Sequence, residues 1–421
     1  MSRLFFWLNA LLLFVFVLAL TPNIPYLDQW AIVPYFKGFT FGQLWALHNE
    51  HRIFFPRLIY LGLAHLTHWN MLAETGLNLA LYLALNWLIY RQFRRVSSDK
   101  AARGLFLLAI VSQMTAANSI NLVNGWQLQL TLSLLMVVTA FALFSREDGK
   151  LPALAAGAAA LFVAIFSFAN GISGVLVSAL LALRQRRYQL AGGLALFLLA
   201  VLAFYLRGYQ SPPQHGGLMF GLLHPFRLAA FFVAYLGQSI VLPPKGAIIF
   251  GYNLFLLLPF LAGLGLLAAG AWAVYRSRTL PIAVTGFAYC LLGYSAITAA
   301  VTAVSRSWFG LMMSQATRYH SFAGLFLLGV LWLLLVDKNG LAPKIGKYLT
   351  VLFLIVYAGG WIGGTVLTYG RTKMINAAAP ALLHYETATD AQLQVIDNET
   401  KLLRERARVL RELRYNIFRG K

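Results

Sequence analysis

The sequence predicts an all-α protein that crosses a membrane many times. Hydrophobic residues make up 60% of the 421 residues and charged residues 11%, against about 45–50% and about 25% in a typical soluble domain. Apolar runs of roughly 17–25 residues, long enough to cross a bilayer as helices, recur along the chain. The single Cys290 lies in one of these runs, so a disulfide framework and a cysteine metal site are both excluded.

Clusters of basic residues predict about eleven spans. The basic loops are Arg91–Arg103, Arg146–Lys150, Arg184–Arg187, Arg276–Arg278 and Lys338–Lys347. If all of them are cytoplasmic, as the positive-inside rule favours, the spans cover about residues 4–20, 72–90, 104–120, 128–144, 152–169, 172–184, 190–206, 251–275, 280–301, 319–336 and 346–369. The N-terminus is then inside, although the first apolar segment also resembles a cleavable signal peptide. These loops and a basic tail explain the net charge of +21, so we expect no nucleic-acid partner.

Two further apolar stretches, Ile53–Thr67 and Phe226–Leu242, do not fit as crossings. We interpret them as helices that lie in, or dip into, the outer membrane interface. The chain then divides into a transmembrane domain, residues 1–370, with an outer loop at 21–71, and an outer C-terminal tail, residues 371–421. The tail is predicted to be one amphipathic helix from about Asp390, which lies on an anionic membrane surface or packs on the outer domain.

Only three carboxylates lie outside the tail and the basic loops: Asp28, Glu50 and Glu74. In a membrane protein this poor in acids, two of them in one short polar stretch indicate a functional site. Asp28 is either a surface carboxylate in a turn or a general base, partly desolvated beside Trp30. Glu74 begins a span, where a negative charge stabilises a helix N-terminus.

The stretch His48-Asn49-Glu50-His51-Arg52 combines two histidines with an acid and a base. On a helix, His48, His51 and Arg52 would share one face. Three interpretations stay open: a solvated helix cap, a metal site, or a phosphate site. A metal would use His48, Glu50 and His51, but no second cluster completes the ligand set. Phosphate suits Arg52, the histidines and the nearby Arg57 better.

Arg318 and Tyr319 begin a late span. The helix dipole does not favour a cation there, so Arg318 needs another partner, and phosphate is a natural one. Otherwise the pair is an interfacial anchor of the aromatic belt. Between this span and the tail, two overlapping GxxxG pairs in Gly359–Gly364 predict close helix packing.

Three short motifs resemble those of the C-type (GT-C) glycosyltransferases. They are Asp28-Gln29-Trp30, the segment from His51-Arg52 to Pro56-Arg57-Leu58, and Arg318-Tyr319. In that superfamily an acidic motif follows the first span, an interfacial helix comes next, and an Arg-Tyr pair often begins a late span. The resemblance covers about residues 1–95 and 300–340. Many relatives have a second acid where Gln29 stands, which leaves metal dependence and the identity of the second carboxylate open.

The resemblance implies transfer of a sugar from a polyprenyl-phosphate donor to a glycan or lipid acceptor, on the outer face of the bacterial cytoplasmic membrane. Cell-envelope enzymes, including those that decorate the O-antigen of lipopolysaccharide, are the subgroup most similar to this chain. Asp28 or Glu50 would be the base. The donor phosphate would be bound by Arg52, Arg57, His48, His51, Arg318 and Tyr319. No cofactor is firmly implied, and a divalent metal stays open.

Two other functions remain. A transporter or flippase of lipid-linked glycans would explain the spans, but it predicts charged or broken helices near the bilayer midplane, where Asn170-Gly171 is a weak candidate. A glycan polymerase or ligase shares the donor chemistry but usually has its site in a large late loop. We find no nucleotide-binding fingerprint in the chain.

Overall fold

The computed structural model describes residues 2–146, 149–209, 218–240, 252–337 and 342–420, and these residues contain helices but no β-strand. The predicted all-α helical bundle is confirmed. The first ten helices are α1 (Ser2–Leu20), α2 (Phe41–Trp45), α3 (Phe54–Thr67), α4 (Met71–Val96), α5 (Lys100–Gln113), α6 (Ser119–Val123), α7 (Leu128–Phe144), α8 (Leu151–Ile165), α9 (Gly171–Arg184) and α10 (Tyr188–Tyr205). The others are α11 (Leu218–Leu223), α12 (Pro225–Gly237), α13 (Tyr252–Ser277), α14 (Ile282–Arg306), α15 (His320–Val336), α16 (Ala342–Ala377), α17 (Ala379–Leu383), α18 (Asp390–Leu393) and α19 (Thr400–Leu413).

Nine of the described helical segments are long and apolar enough to cross a membrane. They correspond to nine of the eleven predicted spans. The remaining two predicted spans are the shorter helices α8 and α9, with 15 and 14 residues. At 1.5 Å per residue each measures roughly 22 Å, less than the hydrocarbon thickness of about 30 Å. The chain turns back between them at residues 166–170.

The basic loops meet at one end of the bundle. Arg187 donates from its guanidinium to the backbone carbonyls of Phe144 and Arg146, at 3.2 and 3.3 Å. Arg276 forms an ion pair of 3.1 Å with Asp337. This clustering agrees with the assignment of the loops to one side of a membrane, although residues 147–148 and 338–341 lie outside the described residues.

The long helix α16 packs on the bundle through glycine, as predicted. A Cβ on Gly364 would lie 2.1 Å from the backbone carbon of Ala116, and one on Gly360 would lie 2.3 Å from the Thr115 hydroxyl. Only glycine permits so close an approach. With 36 residues, α16 is roughly 54 Å long and extends beyond the bilayer core. Its last turns therefore lead the chain into the tail.

The tail packs on the outer loop. A second apolar core, separate from that of the bundle, joins residues on both segments, including Trp30, Phe36, Trp69, Ile375, Leu382, Leu393, Ile396, Leu403, Ala407 and Leu410. Of the two predicted positions for the tail, packing on the outer domain is the one observed. The prediction of one helix from Asp390 is wrong. The tail from Asp390 instead contains two helices, α18 and α19, and in the segment between them the side chain of Asp397 accepts a hydrogen bond from the Glu399 amide (3.0 Å).

The two stretches predicted to lie at the interface are helices in the structure. They are α3, with 14 residues, and α12, with 13. Both are too short to span a bilayer as α-helices. Each of them supports one wall of the cavity described next.

Candidate functional site

A cavity of about 330 Å³ opens at the end of the bundle opposite the basic loops. Its walls come from segments far apart in sequence: the outer loop, the first turns of α7, α9 and α15, and the last turns of α10 and α14. Its polar lining residues are Asp28, His48, Asn49, Glu50, His51, Gln127, Gln129, Asn170, Tyr205, Tyr209, Thr302, Ser305, Arg306, Arg318 and Tyr319. The structure therefore brings Asp28, Glu50 and Arg318 together in one space.

Asp28 is held in place by its neighbour Gln29. The Gln29 side chain accepts a hydrogen bond from the Tyr26 amide (3.0 Å) and donates one to Glu74 Oε2 (3.3 Å). Glu74 is buried, with 2% of its surface exposed, and its other oxygen accepts from Trp69 Nε1 (2.8 Å). Glu74 is in the first turn of α4, as predicted. Through Gln29, Glu74 also holds the turn that carries Asp28 (the acidic turn) against the bundle. Its position in the sequence does not indicate this role.

The Asp28 carboxyl is exposed to the cavity rather than buried in protein. The protein around it partly desolvates the carboxylate and raises its pKa above the ordinary 3.8, and the charge of Arg318 opposes that rise. A carboxylate with a raised pKa accepts a proton more readily. Asp28 therefore has both the access and the basicity that a general base needs.

Residues 48–51 form a tight turn, so the predicted helix is wrong here. The backbone amides of His48 and His51 donate to each other's carbonyl oxygens, at 2.7 and 2.9 Å. Asn49 has a φ of 51°, a left-handed conformation that asparagine tolerates better than most residues. The hydroxyl of Tyr205 secures the turn by donating to the Glu50 carbonyl (3.2 Å) and accepting from the Arg52 amide (3.1 Å).

Glu50 is engaged by charged groups. Its Oε1 forms a close ion pair with Arg306, at the end of α14, and lies 3.6 Å from His51 Nε2. The His51 ring also packs against Phe168, tilted by 38° and with 4.0 Å between the ring centroids. An ion pair with arginine stabilises the charged form of a carboxylate. Of the two carboxylates that could be the base, Asp28 is therefore the better placed.

His48 is neutral at physiological pH. Burial lowers its pKa to about 4, and the charges of Arg57 and Arg406 act in the same direction. Its ring packs against Trp126 in a T-shaped arrangement, with 5.0 Å between the ring centroids. A neutral imidazole offers one N–H to a ligand and no charge.

Arg52 and Arg57 do not line the cavity. Arg52 is 5% exposed and donates to the carbonyls of Trp45, Tyr205 and Arg207. Arg57 is 3% exposed and donates to the carbonyls of Gln43, Leu44 and Ala46. Their guanidinium groups donate to the main chain and lie outside the cavity lining, so this geometry does not favour phosphate binding, which stays a prediction for both residues. Their observed role is to fold the outer loop against α10 and against itself.

Arg318, in contrast, faces the cavity. Its Nε is buried and has no hydrogen-bond partner among the described residues. The guanidinium carbon lies 5.2 Å from the centroid of the Tyr319 ring, and both residues line the cavity. The loop that carries them is attached to α12, because Gln238 donates to the Ser314 carbonyl and Gln315 to the Ala234 carbonyl, each at 2.9 Å.

The opposite wall is supported by α3. The Tyr60 hydroxyl donates to the Trp126 carbonyl (2.8 Å), and the two rings stack at 4.9 Å. Trp126 immediately precedes the first turns of α7. The N-terminal ends of α9 and α15 reach the same cavity. Helix N-termini carry partial positive charge and favour anions. The C-terminal ends of α10 and α14, which carry partial negative charge, also line the cavity.

No three His, Cys, Asp or Glu side chains lie close enough to hold a metal ion within the part of the chain that the structure describes. His48, Glu50 and His51 share the cavity but do not form such a group.

The sequence did not single out Arg306 or Tyr205. The only sequence signal for Arg306 is a weak one: it is a cation at the end of an apolar span. Tyr205 ends an apolar run and gives no signal at all. Both acquire their roles from contacts with residues more than 150 positions away, at Glu50 and Arg52.

We compared the chain with models of protein families, with curated proteins and with solved structures, and none of them matches.

Proposed function

We propose that the protein is a membrane glycosyltransferase that moves a sugar from a polyprenyl-phosphate donor to a hydroxyl of a cell-envelope glycan or lipid. The observation that carries the proposal is the shared cavity of Asp28, Arg306 and Arg318 at one end of a membrane bundle. Its volume is within the range of about 300–1,000 Å³ typical of small-molecule sites. The cavity combines an accessible base with cations for a phosphate.

Asp28 is the general base of the proposed reaction. The acceptor hydroxyl attacks the anomeric carbon of the sugar, and Asp28 takes the hydroxyl proton. The bond between the anomeric carbon and the phosphate oxygen breaks, and polyprenyl phosphate leaves with the bonding electrons. A single direct displacement of this kind inverts the configuration at the anomeric carbon.

Arg318 and Arg306 stabilise the departing phosphate. Arg318 has an unsatisfied buried Nε, and a guanidinium can donate two parallel hydrogen bonds to phosphate oxygens. Glu50 orients Arg306 through their ion pair. The first turns of α9 and α15 add partial positive charge where negative charge develops.

The proposed site faces outward. The basic loops cluster at the opposite end of the bundle, and the positive-inside rule assigns that end to the cytoplasm. If α8 starts and α9 ends at the cytoplasmic surface, their length of roughly 22 Å leaves the turn 166–170 below the outer surface. That turn lines the cavity. The sugar-phosphate bond would then lie near headgroup depth, with the polyprenyl chain in the bilayer.

One observation favours transport as a second candidate. The short helices α8 and α9 meet at the cavity, as the half-helices of transporters do at a substrate site. A flippase of lipid-linked glycans would use the same cavity without breaking a bond. Glycan polymerisation or ligation would use the same donor chemistry on a different acceptor.

Purified protein in liposomes, supplied with polyprenyl-phosphate sugar and a hydroxyl acceptor, separates these functions. Transfer releases polyprenyl phosphate in step with the glycosylated acceptor. Transport moves intact donor to the other leaflet, which a periodate-accessible sugar would report. Movement of intact donor with no release of polyprenyl phosphate would contradict the proposal in favour of the flippase.

A further inference from the structure

Two asparagines, one just before α6 and one within it, hold residues 317–321 (the arginine segment), which carry Arg318. The Asn121 side chain donates a hydrogen bond to the Thr317 carbonyl (3.1 Å). The Asn118 side chain donates one to the Ser321 hydroxyl (3.2 Å). These two contacts lie on either side of Arg318 in the sequence. Asn121 also donates to Asn118 Oδ1 (2.9 Å), so the two asparagines form one hydrogen-bonded pair.

The asparagine pair is buried inside the bundle. Asn118 is fully buried and Asn121 is 6% exposed, and neither residue lines the cavity. Asn118 Nδ2 also donates to the Tyr82 hydroxyl (2.9 Å). A backbone carbonyl that loses its donor inside a protein is left with the full cost of its desolvation. Displacing the Thr317 carbonyl from Asn121 is therefore unfavourable, and this contact holds the arginine segment in one position.

The same pair is attached to α4, the helix that also holds the acidic turn. The Asn78 side chain donates to the Asn121 carbonyl. Glu74, one turn earlier on α4, accepts a hydrogen bond from Gln29 in the acidic turn. Residues four apart lie on the same face of a helix and are separated by roughly 6 Å along its axis. One short stretch of α4 therefore holds both the acidic turn and, through Asn121, the arginine segment.

We propose that Asn121 is a positioning residue of the site: held by Asn78, it keeps the arginine segment at a fixed place relative to the acidic turn, so that Arg318 meets the donor phosphate while Asp28 faces the acceptor hydroxyl. The inference rests on the function proposed above and extends the site into the interior of the bundle. Asn121 does not line the cavity, so it acts through Arg318 and not on the substrate.

If Asn121 acts through Arg318, its effect on phosphate binding should depend on that arginine. The effects of two independent residues add, whereas residues in one hydrogen-bond network are coupled. Asn121→Leu should weaken the binding of polyprenyl phosphate about 10-fold, which is within the range of couplings measured in such networks. In the Arg318→Ala background the same substitution should cause no further loss.

The affinity of the intact, detergent-solubilised protein for a short-chain polyprenyl phosphate without sugar measures this coupling. Calorimetric titration gives Kd for the wild type, Asn121→Leu, Arg318→Ala and the double variant. Asn121→Ser, which is smaller and still polar, replaces Asn121→Leu if that variant does not fold. The matched control is Asn9→Leu, because Asn9 is 2% exposed, lies on α1 and donates to the Met114 carbonyl (2.8 Å). Asn9→Leu should lower the melting temperature, as Asn121→Leu does, but should leave Kd unchanged.

The inference is supported if Asn121→Leu weakens binding, the double variant binds like Arg318→Ala, and Asn9→Leu binds like the wild type. Wild-type affinity in Asn121→Leu overturns it, as do additive losses in the double variant. An equal loss in Asn9→Leu also overturns it, since any buried asparagine would then have the same effect. If Arg318→Ala itself binds like the wild type, the proposed phosphate site fails and the inference fails with it. The failure of the proposed site is thus distinguished from the failure of this inference alone.

Discussion

Two arginine-bearing regions of the molecule differ in what their guanidinium groups bind. Between residues 41 and 57, Arg52 and Arg57 each donate to three backbone carbonyls and are almost fully buried. Between residues 305 and 320, Arg306 pairs with Glu50, and Arg318 keeps a buried Nε with no partner among the described residues. Both late arginines line the cavity.

This difference distinguishes arginines that stabilise the fold from arginines that are available to bind a ligand. A buried arginine whose guanidinium binds main-chain carbonyls stabilises the loop and does not face a phosphate in the cavity. An arginine held beside a cavity with a donor unused can bind a ligand without first breaking contacts. Mutation of these equally charged residues should therefore have opposite effects, on stability in the first region and on activity in the second.

The largest effect on activity within this comparison should come from Arg318→Ala. Losing a donor that stabilises a developing negative charge typically costs about 10²–10³-fold in rate. The melting temperature should stay near wild type, because no described partner is left unpaired. Arg318→Lys should recover only part of the rate, since an ammonium group cannot reproduce the two parallel bonds of arginine. Full activity in Arg318→Ala, measured as release of polyprenyl phosphate, would remove this residue from the site.

Arg52→Ala should lower the stability of the protein and leave its activity largely unchanged. It leaves the carbonyls of Trp45, Tyr205 and Arg207 without their donor, and the unfolding free energy should fall by about 2–4 kcal/mol. Protein that remains folded at low temperature should retain most of its rate. Denaturant or thermal unfolding in detergent measures the first quantity. A stable Arg52→Ala variant that has lost activity would mean that Arg52 does bind the donor, as the sequence predicted.

Glu50→Gln tests the link between the two regions. It keeps the shape of the side chain but weakens the ion pair that orients Arg306. We expect a loss of about 10-fold in rate, less than the roughly 10²-fold that a 1 Å misplacement of a reacting group can cost, because glutamine keeps the shape of the side chain. A loss as large as that of Asp28→Asn, together with inactivation of the wild type by chelator, would instead indicate a shared metal.

The smallest effect should come from His48→Gln, with less than about a threefold change in rate. The His48 pKa of about 4, against an ordinary 6.5, means that its charge does not change above about pH 5. The rate should rise with pH as Asp28 loses its proton and should show no fall near pH 6.5. A fall there that disappears in His48→Gln would show that a charged His48 binds the donor.

More of the fold than of the site could be predicted from the sequence. Long apolar runs lie in the sequence itself, and nine of the eleven predicted spans have helices of sufficient length. Sequence spacing also identified Asp28, Glu50 and Arg318, which line one cavity. It could not show that Arg52 has its partners near residue 205, or that Arg306 pairs with Glu50, because these contacts join residues far apart in the chain. The helix predicted for residues 48–52 failed for a local reason, the left-handed conformation of Asn49.

The position of the tail also could not be predicted from the sequence. Its amphipathic pattern is equally suited to a membrane surface and to a protein surface. In the structure, the apolar face of the tail packs on the outer loop, in one core with Trp30, Phe36 and Trp69. Asp397 is one of the acids of the tail, and sequence spacing does not indicate that the neighbouring Ile396 binds the backbone next to Asp28.

Release of polyprenyl phosphate by Asp28→Asn tests the proposed site most directly. The substitution keeps the shape of the side chain and removes the base, so we expect the rate to fall about 10²–10⁴-fold while expression and melting temperature stay near wild type. Glu386→Gln is the control, because Glu386 is an exposed carboxylate in the tail, 3.6 Å from Arg411, and its rate should be unchanged. A wild-type rate in Asp28→Asn would contradict the proposed mechanism, whatever the other variants do.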